Sequence, residues 1–283
     1  MNILFSIIIP TLNEEKYLPL ILSDLAQQQK KNFEIIVVDG KSTDKTKQIA
    51  NSFVDSMPLT FFEVDKRNVS YQRNFGAKKG KGQYFVFLDA DTRIPKDFTY
   101  QLQHACFQRK FQLVLPTIAW DDKSRKGKIL MSIVKSFIRA SQVYGRPLAT
   151  GGNFAIERHL FEKIGGFNEK VFISEDHDII RRAYEAGVKA KIVKNVKAML
   201  SLRRSEVEGD MMLIYKHVVG FLAYTVAPSE KALQKKLFEY EMGGQRYLEK
   251  GPRKSGSKKN IEYLRQLLQL SSILVILRYF QRF

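Results

Sequence analysis

Residues 84–92 read Tyr-Phe-Val-Phe-Leu-Asp-Ala-Asp-Thr, and this stretch decides both the fold and the site that we predict. An uncharged run this short and rich in Phe and Val predicts a buried strand of a parallel sheet. Asp89 and Asp91 follow it directly, at the strand end where open α/β sheets bind ligands. Two carboxylates at this spacing suit Mg²⁺ or Mn²⁺ carrying a phosphate-bearing substrate. Taken alone, the pair is equally typical of a turn, because Asp is a common turn former.

Apolar runs earlier in the chain predict three more strands, at 3–9, 34–39 and 60–64, of which the first ends at Pro10. A helical pattern of apolar residues follows the first of these runs, and 71–79 also looks helical. The resulting order βαβαβαβ, with short connections, predicts parallel pairing of the strands.

The first helix is predicted to follow Asn13, whose side chain can cap it, with Glu14 and Glu15 as acids in its first turn. Its apolar face recurs at helical spacing. The residues of that face are Leu18, Ile21, Leu22 and Leu25.

Two later stretches carry chemistry. Gly151-Gly152-Asn153 precedes a short apolar run, which predicts close approach of the backbone to another group, or a bulge; a plain turn is the alternative. Ser174 can cap a helix that opens with Glu175 and Asp176. Three acids within the four residues 175–178 exceed what capping needs.

The remaining pattern predicts short strands at 112–115, 190–193 and 196–200 and a basic helix at 127–143. The four histidines share no spacing that suggests a zinc site. His177 is interpreted as a residue of the helix surface; because it lies beside Asp176, contact with the site is the alternative.

Length and charge narrow the class of protein. The 283 residues suit one large α/β domain, at 1–205, plus an extension at 206–283. The net charge of +18 indicates an anionic partner, namely nucleic acid, an anionic membrane surface or a phosphorylated substrate. The single cysteine, Cys106, excludes an intrachain disulfide and fits a reducing compartment. No signal peptide or spanning segment is recognisable, so a cytoplasmic location is expected.

The extension has its own pattern. Apolar stretches at 211–227 and 264–280 flank a basic loop at 250–259. Such a segment is typical of a helix that lies on an anionic membrane surface, here the cytoplasmic face; packing on the α/β domain 1–205 is the alternative.

The ordered set of motifs resembles the family 2 glycosyltransferases, which have the GT-A fold, a mostly parallel sheet flanked by helices. The resemblance covers roughly residues 3–204. It is carried by Pro10–Glu14, Val37–Asp44, Asp89–Asp91, Thr150–Asn153 and Glu175–Asp176. One departure is Gly40, where many members carry a second Asp. Asp39 is retained, so nucleotide binding is still expected, but the base that is recognised stays open.

The resemblance implies an inverting transferase that moves a sugar from a nucleotide-diphosphate donor to a hydroxyl acceptor, with Mn²⁺ or Mg²⁺ as cofactor. Asp176 is the implied general base, and Asp91, with Asp89, the implied metal ligand. Implied donor contacts are Pro10, Thr11, Glu14, Asp39, Asp89, Asp91, Arg203 and Arg204. Implied acceptor contacts are Gly151, Gly152, Asn153 and Glu175. A lipid or lipid-linked sugar is a candidate acceptor.

Two other classes are weighed against this prediction. A nucleotidyltransferase that forms sugar nucleotides favours a Gly-rich, basic phosphate loop after the first strand, where this chain has Pro-Thr-Leu-Asn-Glu. A non-catalytic binder of nucleic acid usually interleaves aromatic and basic residues. The basic loop 250–259 contains no aromatic residue, so no nucleic-acid partner is expected. A non-catalytic membrane binder leaves the acidic motifs without a purpose.

Overall fold

The computed structural model describes residues 3–120, 152–171 and 175–200. They form a mixed α/β fold around one seven-stranded sheet, in the order β3-β2-β1-β4-β6-β5-β7. The strands are β1 Phe5–Thr11, β2 Phe33–Asp39, β3 Leu59–Glu63, β4 Tyr84–Phe87, β5 Leu113–Trp120, β6 Phe154–Glu157 and β7 Lys191–Leu200.

Six helices accompany the sheet in this part of the chain. They are α1 Leu18–Ala26, α2 Thr46–Ser52, α3 Val69–Lys79, α4 Phe98–Gln103, α5 Arg158–Lys163 and α6 Glu175–Glu185. A π-helical turn, His104–Gln108, continues α4. None of these described helices is long and apolar enough to cross a membrane.

The sheet is parallel except for one strand. β1 pairs in parallel with β2 and β4, and β2 with β3. β6 runs antiparallel to both of its neighbours, β4 and β5, and β5 pairs in parallel with β7. The carboxyl ends of β1, β2 and β4 therefore meet at one edge, as the sequence predicts.

Apolar layers cover both faces of the sheet. Along β1, Ile7 and Ile9 lie in one core with α1, whereas Ile8 lies in the other with Ile179 and Ile180 of α6. Burial on both faces explains why this strand reads as a continuous apolar run rather than as an alternating one.

The prediction that Pro10 ends the first strand is wrong, because β1 continues to Thr11, opposite Asp39 of β2. Pairing of β1 with β4 stops at Ile8. Pro10 thus lies where β1 has only β2 beside it, and its missing N–H removes no bond to β4.

The predicted cap by Asn13 is also wrong. Helix α1 starts at Leu18, its N-cap position is Tyr17, and its first turn holds no acid. Asn13 instead has a positive φ of 56°. Its side-chain oxygen accepts a hydrogen bond from the Thr43 N–H at 2.8 Å. This contact ties the loop after β1 to the loop after β2.

Two other predicted elements differ in extent. The strand predicted at 112–115 is the longer β5, and the two strands predicted at 190–200 are one strand, β7. The register of β7 on β5 jumps from Val193 opposite Pro116 to Lys197 opposite Thr117. Because Pro116 cannot donate a ladder bond, an irregularity beside it disrupts little. The predicted helix 127–143, the Ser174 cap and the extension 206–283 lie outside the described residues.

Candidate functional site

The predicted acidic residues gather at the carboxyl edge of the sheet and at the start of α6. Thr11 and Asp39 end the neighbouring strands β1 and β2, in register with each other. Asp89 and Asp91 follow β4, whose continuation at Leu88 donates its N–H to the Ile8 carbonyl of β1. Arg203, Arg204 and Gly151 lie outside the described residues.

Asp39 organises the loop at the end of β2. Its buried carboxylate accepts hydrogen bonds from the Thr11 hydroxyl at 2.8 Å and from the Ser42 N–H at 2.7 Å. The Ser42 hydroxyl donates to the same carboxylate at 2.5 Å and accepts from the Asn13 N–H at 2.7 Å. The two loops therefore hold each other through one carboxylate and one hydroxyl.

Glu14 and Glu15 belong to the same loop pair. The Glu14 N–H donates to the Thr46 hydroxyl at 2.8 Å, and the Glu15 N–H donates to Asp44 at 3.1 Å. Glu14 is buried. These hydrogen bonds restrain the loop that carries Glu14 and Glu15 by joining it to the segment after β2.

Arg73 of α3 is the centre of the site. It is only 2% exposed. Its guanidinium donates to Asp89 Oδ1 at 2.7 Å and to Glu175 Oε1 at 2.8 Å, and it packs over the Phe167 ring. Burial alone lowers the pKa of Arg73, but the two carboxylates more than offset it, and the net shift is upward. One buried cation thus connects the turn after β4 to the first turn of α6.

Gly152 lies against this ion pair. A Cβ atom at this position would be 1.8 Å from Arg73 Nη2 and 2.7 Å from Asp89 Oδ1. The predicted close approach of the backbone is confirmed, and the group approached is the Arg73–Asp89 pair rather than open space. Only glycine leaves room for the guanidinium there.

Asn153 makes hydrogen bonds to the turn after β4 that carries Asp89 and Asp91. Its side-chain oxygen accepts from the Asp89 N–H at 3.0 Å and from the Thr92 hydroxyl at 2.9 Å. The residue is fully buried. Its side chain therefore acts on the turn that carries Asp89 and Asp91, and direct contact with an acceptor stays a prediction.

Asp89 and Asp91 fit a metal that arrives with its substrate. Among residues 3–120, 152–171 and 175–200, no group of three or more His, Cys, Asp or Glu can enclose a metal ion. Asp89 Oδ1 is already engaged by Arg73, and Asp91 is half-buried. Mg²⁺ and Mn²⁺ commonly take one or two carboxylates together with substrate phosphates and water, and this pair can supply that share.

Asp176 and His177 form a pair at the start of α6. Asp176 Oδ1 lies 2.9 Å from His177 Nδ1 and accepts the His177 N–H at 2.9 Å. Burial raises the pKa of Asp176, but His177 and Arg73 outweigh burial and hold that pKa at about 2. Burial lowers the pKa of His177, yet Asp176 and Glu175 leave it above its ordinary value.

The interpretation of His177 as a helix-surface residue is wrong, because only 15% of its side chain is exposed and it contacts Asp176.

Arg73 is a site residue that the sequence analysis does not identify. A signal for it exists: Arg73 lies three and four positions before Gly76 and Ala77, on the buried face of α3. An arginine on the sheet-facing side of a helix requires a buried anionic partner.

A sequence profile described as glycosyl transferase family 2 matches residues 6–165, more than half of the chain. A second profile, described as the N-terminal domain of galactosyltransferase, matches residues 137–205.

Curated relatives match over shorter lengths. The chain is 37% identical over 97 residues to the poly(ribitol-phosphate) beta-N-acetylglucosaminyltransferase TarS of Staphylococcus aureus, covering 33% of this chain and 17% of TarS. It is 37% identical over 98 residues to a dolichyl N-acetyl-alpha-D-glucosaminyl phosphate 3-beta-D-2,3-diacetamido-2,3-dideoxy-beta-D-glucuronosyltransferase of Methanococcus voltae, covering 33% of this chain and 30% of that one. The chain thus spans less than a third of either relative.

Solved structures share the fold. The mannosyltransferase PcManGT of Pyrobaculum calidifontis, in complex with GDP-Man and Mn²⁺, matches with a TM-score of 0.65 and 21% identity, over 78% of this chain and 64% of that one. S. aureus TarS 1–349 in complex with UDP-GlcNAc matches with a TM-score of 0.57 and 20% identity, over 69% and 58%. These similarities confirm the predicted GT-A fold. From the profile match and the ordered motifs at the sheet edge, we conclude that the chain belongs to glycosyl transferase family 2.

Proposed function

We propose that this enzyme transfers a sugar, with inversion, from a nucleotide-diphosphate donor to a hydroxyl acceptor in a metal-dependent single displacement. The observation that carries the proposal is the Arg73 bridge, with 2.7 Å to Asp89 on one side and 2.8 Å to Glu175 on the other. Through these two ion pairs, Arg73 connects the turn that is predicted to bind the metal with Glu175, the residue next to Asp176. A single displacement requires this combination of a donor-side acid and a separate base.

The donor side uses the ends of three strands. The nucleoside is proposed to lie against the loops that carry Thr11, Glu14 and Asp39, which hydrogen bonds hold in place. Asp89 and Asp91 are the residues that would hold the metal, with Arg73 fixing Asp89. The cation supplies positive charge for the departing diphosphate. Related structures are complexes with UDP-GlcNAc and with GDP-Man and Mn²⁺, which supports a nucleotide-sugar donor and a divalent ion.

On the acceptor side, Asp176 takes the proton of the attacking hydroxyl. With a pKa of about 2, Asp176 is ionised at neutral pH and can accept that proton as the hydroxyl oxygen loses electron density to the sugar. Glu175, held by Arg73, fixes the start of α6 beside it. No covalent nucleophile is needed, because the acceptor oxygen attacks the anomeric carbon directly.

The acceptor is proposed to be a lipid-linked or other anionic glycan at the cytoplasmic face of a membrane. The names of two relatives include a dolichyl phosphate sugar and poly(ribitol-phosphate). The net charge of +18 and the basic sequence at 250–259 supply the attraction to an anionic surface. Flotation of the full chain with anionic liposomes at low salt, and not with neutral ones, is expected; equal behaviour with both would refute the membrane proposal.

The catalytic proposal is tested with UDP-GlcNAc and GDP-mannose, each with MnCl₂ and with EDTA. We expect one of the donors to bind and to be hydrolysed slowly in Mn²⁺, and EDTA to abolish both signals. A matched control is Asp55→Asn, which removes an exposed carboxylate remote from the motifs and leaves both signals unchanged. Turnover that persists in EDTA would contradict the metal dependence.

A further inference from the structure

The Asp176–His177 pair has an asymmetry that helix capping does not explain. The backbone N–H of His177 reaches Asp176 Oδ1, as an acid in the first turn of a helix often allows. The imidazole adds a second contact to the same oxygen, at 2.9 Å from Nδ1. The side chains are 15% and 11% exposed, so this contact is largely shielded from water.

The second contact has a consequence for Asp176 Oδ2. Both hydrogen bonds fall on Oδ1, and within the described part of the chain none reaches Oδ2. Because a carboxylate oxygen accepts this hydrogen bond, Nδ1 of His177 is the imidazole nitrogen that carries a proton toward Asp176. One carboxylate oxygen is therefore restrained by two hydrogen bonds, and among the described residues no donor restrains the other.

The neighbouring charges do not provide this restraint. Arg73, from α3, donates to Asp89 and Glu175, and it acts on Asp176 only through its charge. Asp178, also in the first turn, is engaged by Arg181 and Arg182. Among the described residues, the hydrogen bonds that orient Asp176 come from His177.

We infer that His177 is a positioning residue that holds Asp176 by Oδ1 and leaves Oδ2 to receive the proton of the acceptor hydroxyl. In that step the acceptor O–H bond breaks and its proton passes to Oδ2. The acceptor oxygen bonds to the anomeric carbon, and the bond from that carbon to the diphosphate breaks with its electron pair leaving on the diphosphate. The inference rests on the proposed role of Asp176 as the general base.

Two substitutions separate a hydrogen bond from a structural role. His177→Asn places an amide N–H near the position of Nδ1, whereas His177→Phe keeps a ring and removes the donor. We expect His177→Phe to lower kcat for Mn²⁺-dependent hydrolysis of the donor by about 10-fold or more, a part of the 10²–10⁴ that a general base contributes. The KM for UDP-GlcNAc or GDP-mannose is expected to stay constant. His177→Asn is expected to keep most of kcat.

The controls decide each outcome. His159→Phe changes an exposed histidine of α5 and is expected to match the wild type. If His177→Phe is unstable, His177→Gln replaces it, because its amide reaches the Nε2 position and not that of Nδ1. A wild-type kcat in His177→Phe or His177→Gln, which lack the hydrogen-bond donor to Asp176, would overturn the inference. A loss of kcat in His177→Asn equal to that in His177→Phe would overturn it as well.

Asp176→Asn separates this inference from the proposed function. If Asp176→Asn keeps full turnover, the proposed function itself fails. If Asp176→Asn loses turnover while His177→Phe does not, only the positioning role fails. The double variant is expected to be no worse than Asp176→Asn alone, because the two residues act as a unit.

Discussion

The proposed donor side and the proposed acceptor side of the site are built by different kinds of interaction. On the donor side, Asp39 is held by hydroxyl and backbone donors from Thr11 and Ser42. On the acceptor side, Glu175 and Asp176 are held by cationic partners, Arg73 and His177. Uncharged donors hold the Asp39 carboxylate in place, whereas the cationic partners of Asp176 also lower the pKa of its carboxyl group.

The largest expected effect is on the donor side, in Asp91→Asn. Replacing a charged ligand by a neutral amide is expected to abolish Mn²⁺-dependent donor binding and turnover. The melting temperature should change little, because Asp91 is only half-buried. Calorimetry with UDP-GlcNAc and GDP-mannose measures the binding. Near wild-type turnover with the metal still required would remove Asp91 from its assigned role.

The bridge between the two sides is tested by Arg73→Met. The substitution leaves the carboxylates of Asp89 and Glu175 without their buried cation, and breaking a buried pair in this way costs about 3–5 kcal/mol. Urea unfolding measures the loss. Lys78→Met, at an exposed position of the same helix, is the matched control and should stay within about 0.5 kcal/mol. Equal stability of the two variants would mean that the bridge contributes nothing.

A smaller effect is expected for Gly152→Ala. The added methyl group would lie 1.8 Å from Arg73 Nη2, so the guanidinium must move away from Asp89. Overpacking of this kind costs about 1–3 kcal/mol. In Gly40→Ala the new Cβ would lie 3.4 Å from Gln72 Nε2, an ordinary contact, which makes it the control for unfolding measurements. A fully stable Gly152→Ala would show that the packing at the bridge is loose.

The smallest effect is a change in the titration of His177. Its pKa is raised because protonation places a positive charge against Asp176. We expect the His177 imidazole to titrate above the ordinary pKa of histidine in NMR spectra. In Asp176→Asn, the loss of the carboxylate should lower the His177 pKa, so its proton leaves at a lower pH. An unchanged midpoint would mean that the two side chains do not interact in solution.

The contrast between strand ends and helix-borne pairs explains which site residues can be located from the sequence. Asp39 and Asp89 directly follow apolar runs, and parallel strands bring their ends together, so the location of these acids is predictable. Arg73 and Glu175 are 102 positions apart, and the pairing depends on how α3 and α6 pack on the sheet. No local pattern encodes that packing, although the buried position of Arg73 on its helix is a usable signal.

The errors in the fold have a similar origin. Asn13 has the chemistry of a helix cap, but its partner is Thr43, 30 positions away in the loop after β2. Local capping is therefore overridden by a bond between loops. The division of β7 into two strands fails because Lys194 and Asn195 interrupt the apolar pattern, and the structure accommodates them as a register shift opposite Pro116 rather than as a break.

Asp176→Asn tests the division of the site most directly. We measure donor binding by calorimetry with Mn²⁺, and donor hydrolysis under the same conditions, for this variant and the wild type. The account predicts a donor Kd within about threefold of the wild type and a kcat lower by about 10² or more, the usual scale for a general base. A variant that loses donor affinity and keeps its turnover would place Asp176 on the donor side and contradict the account.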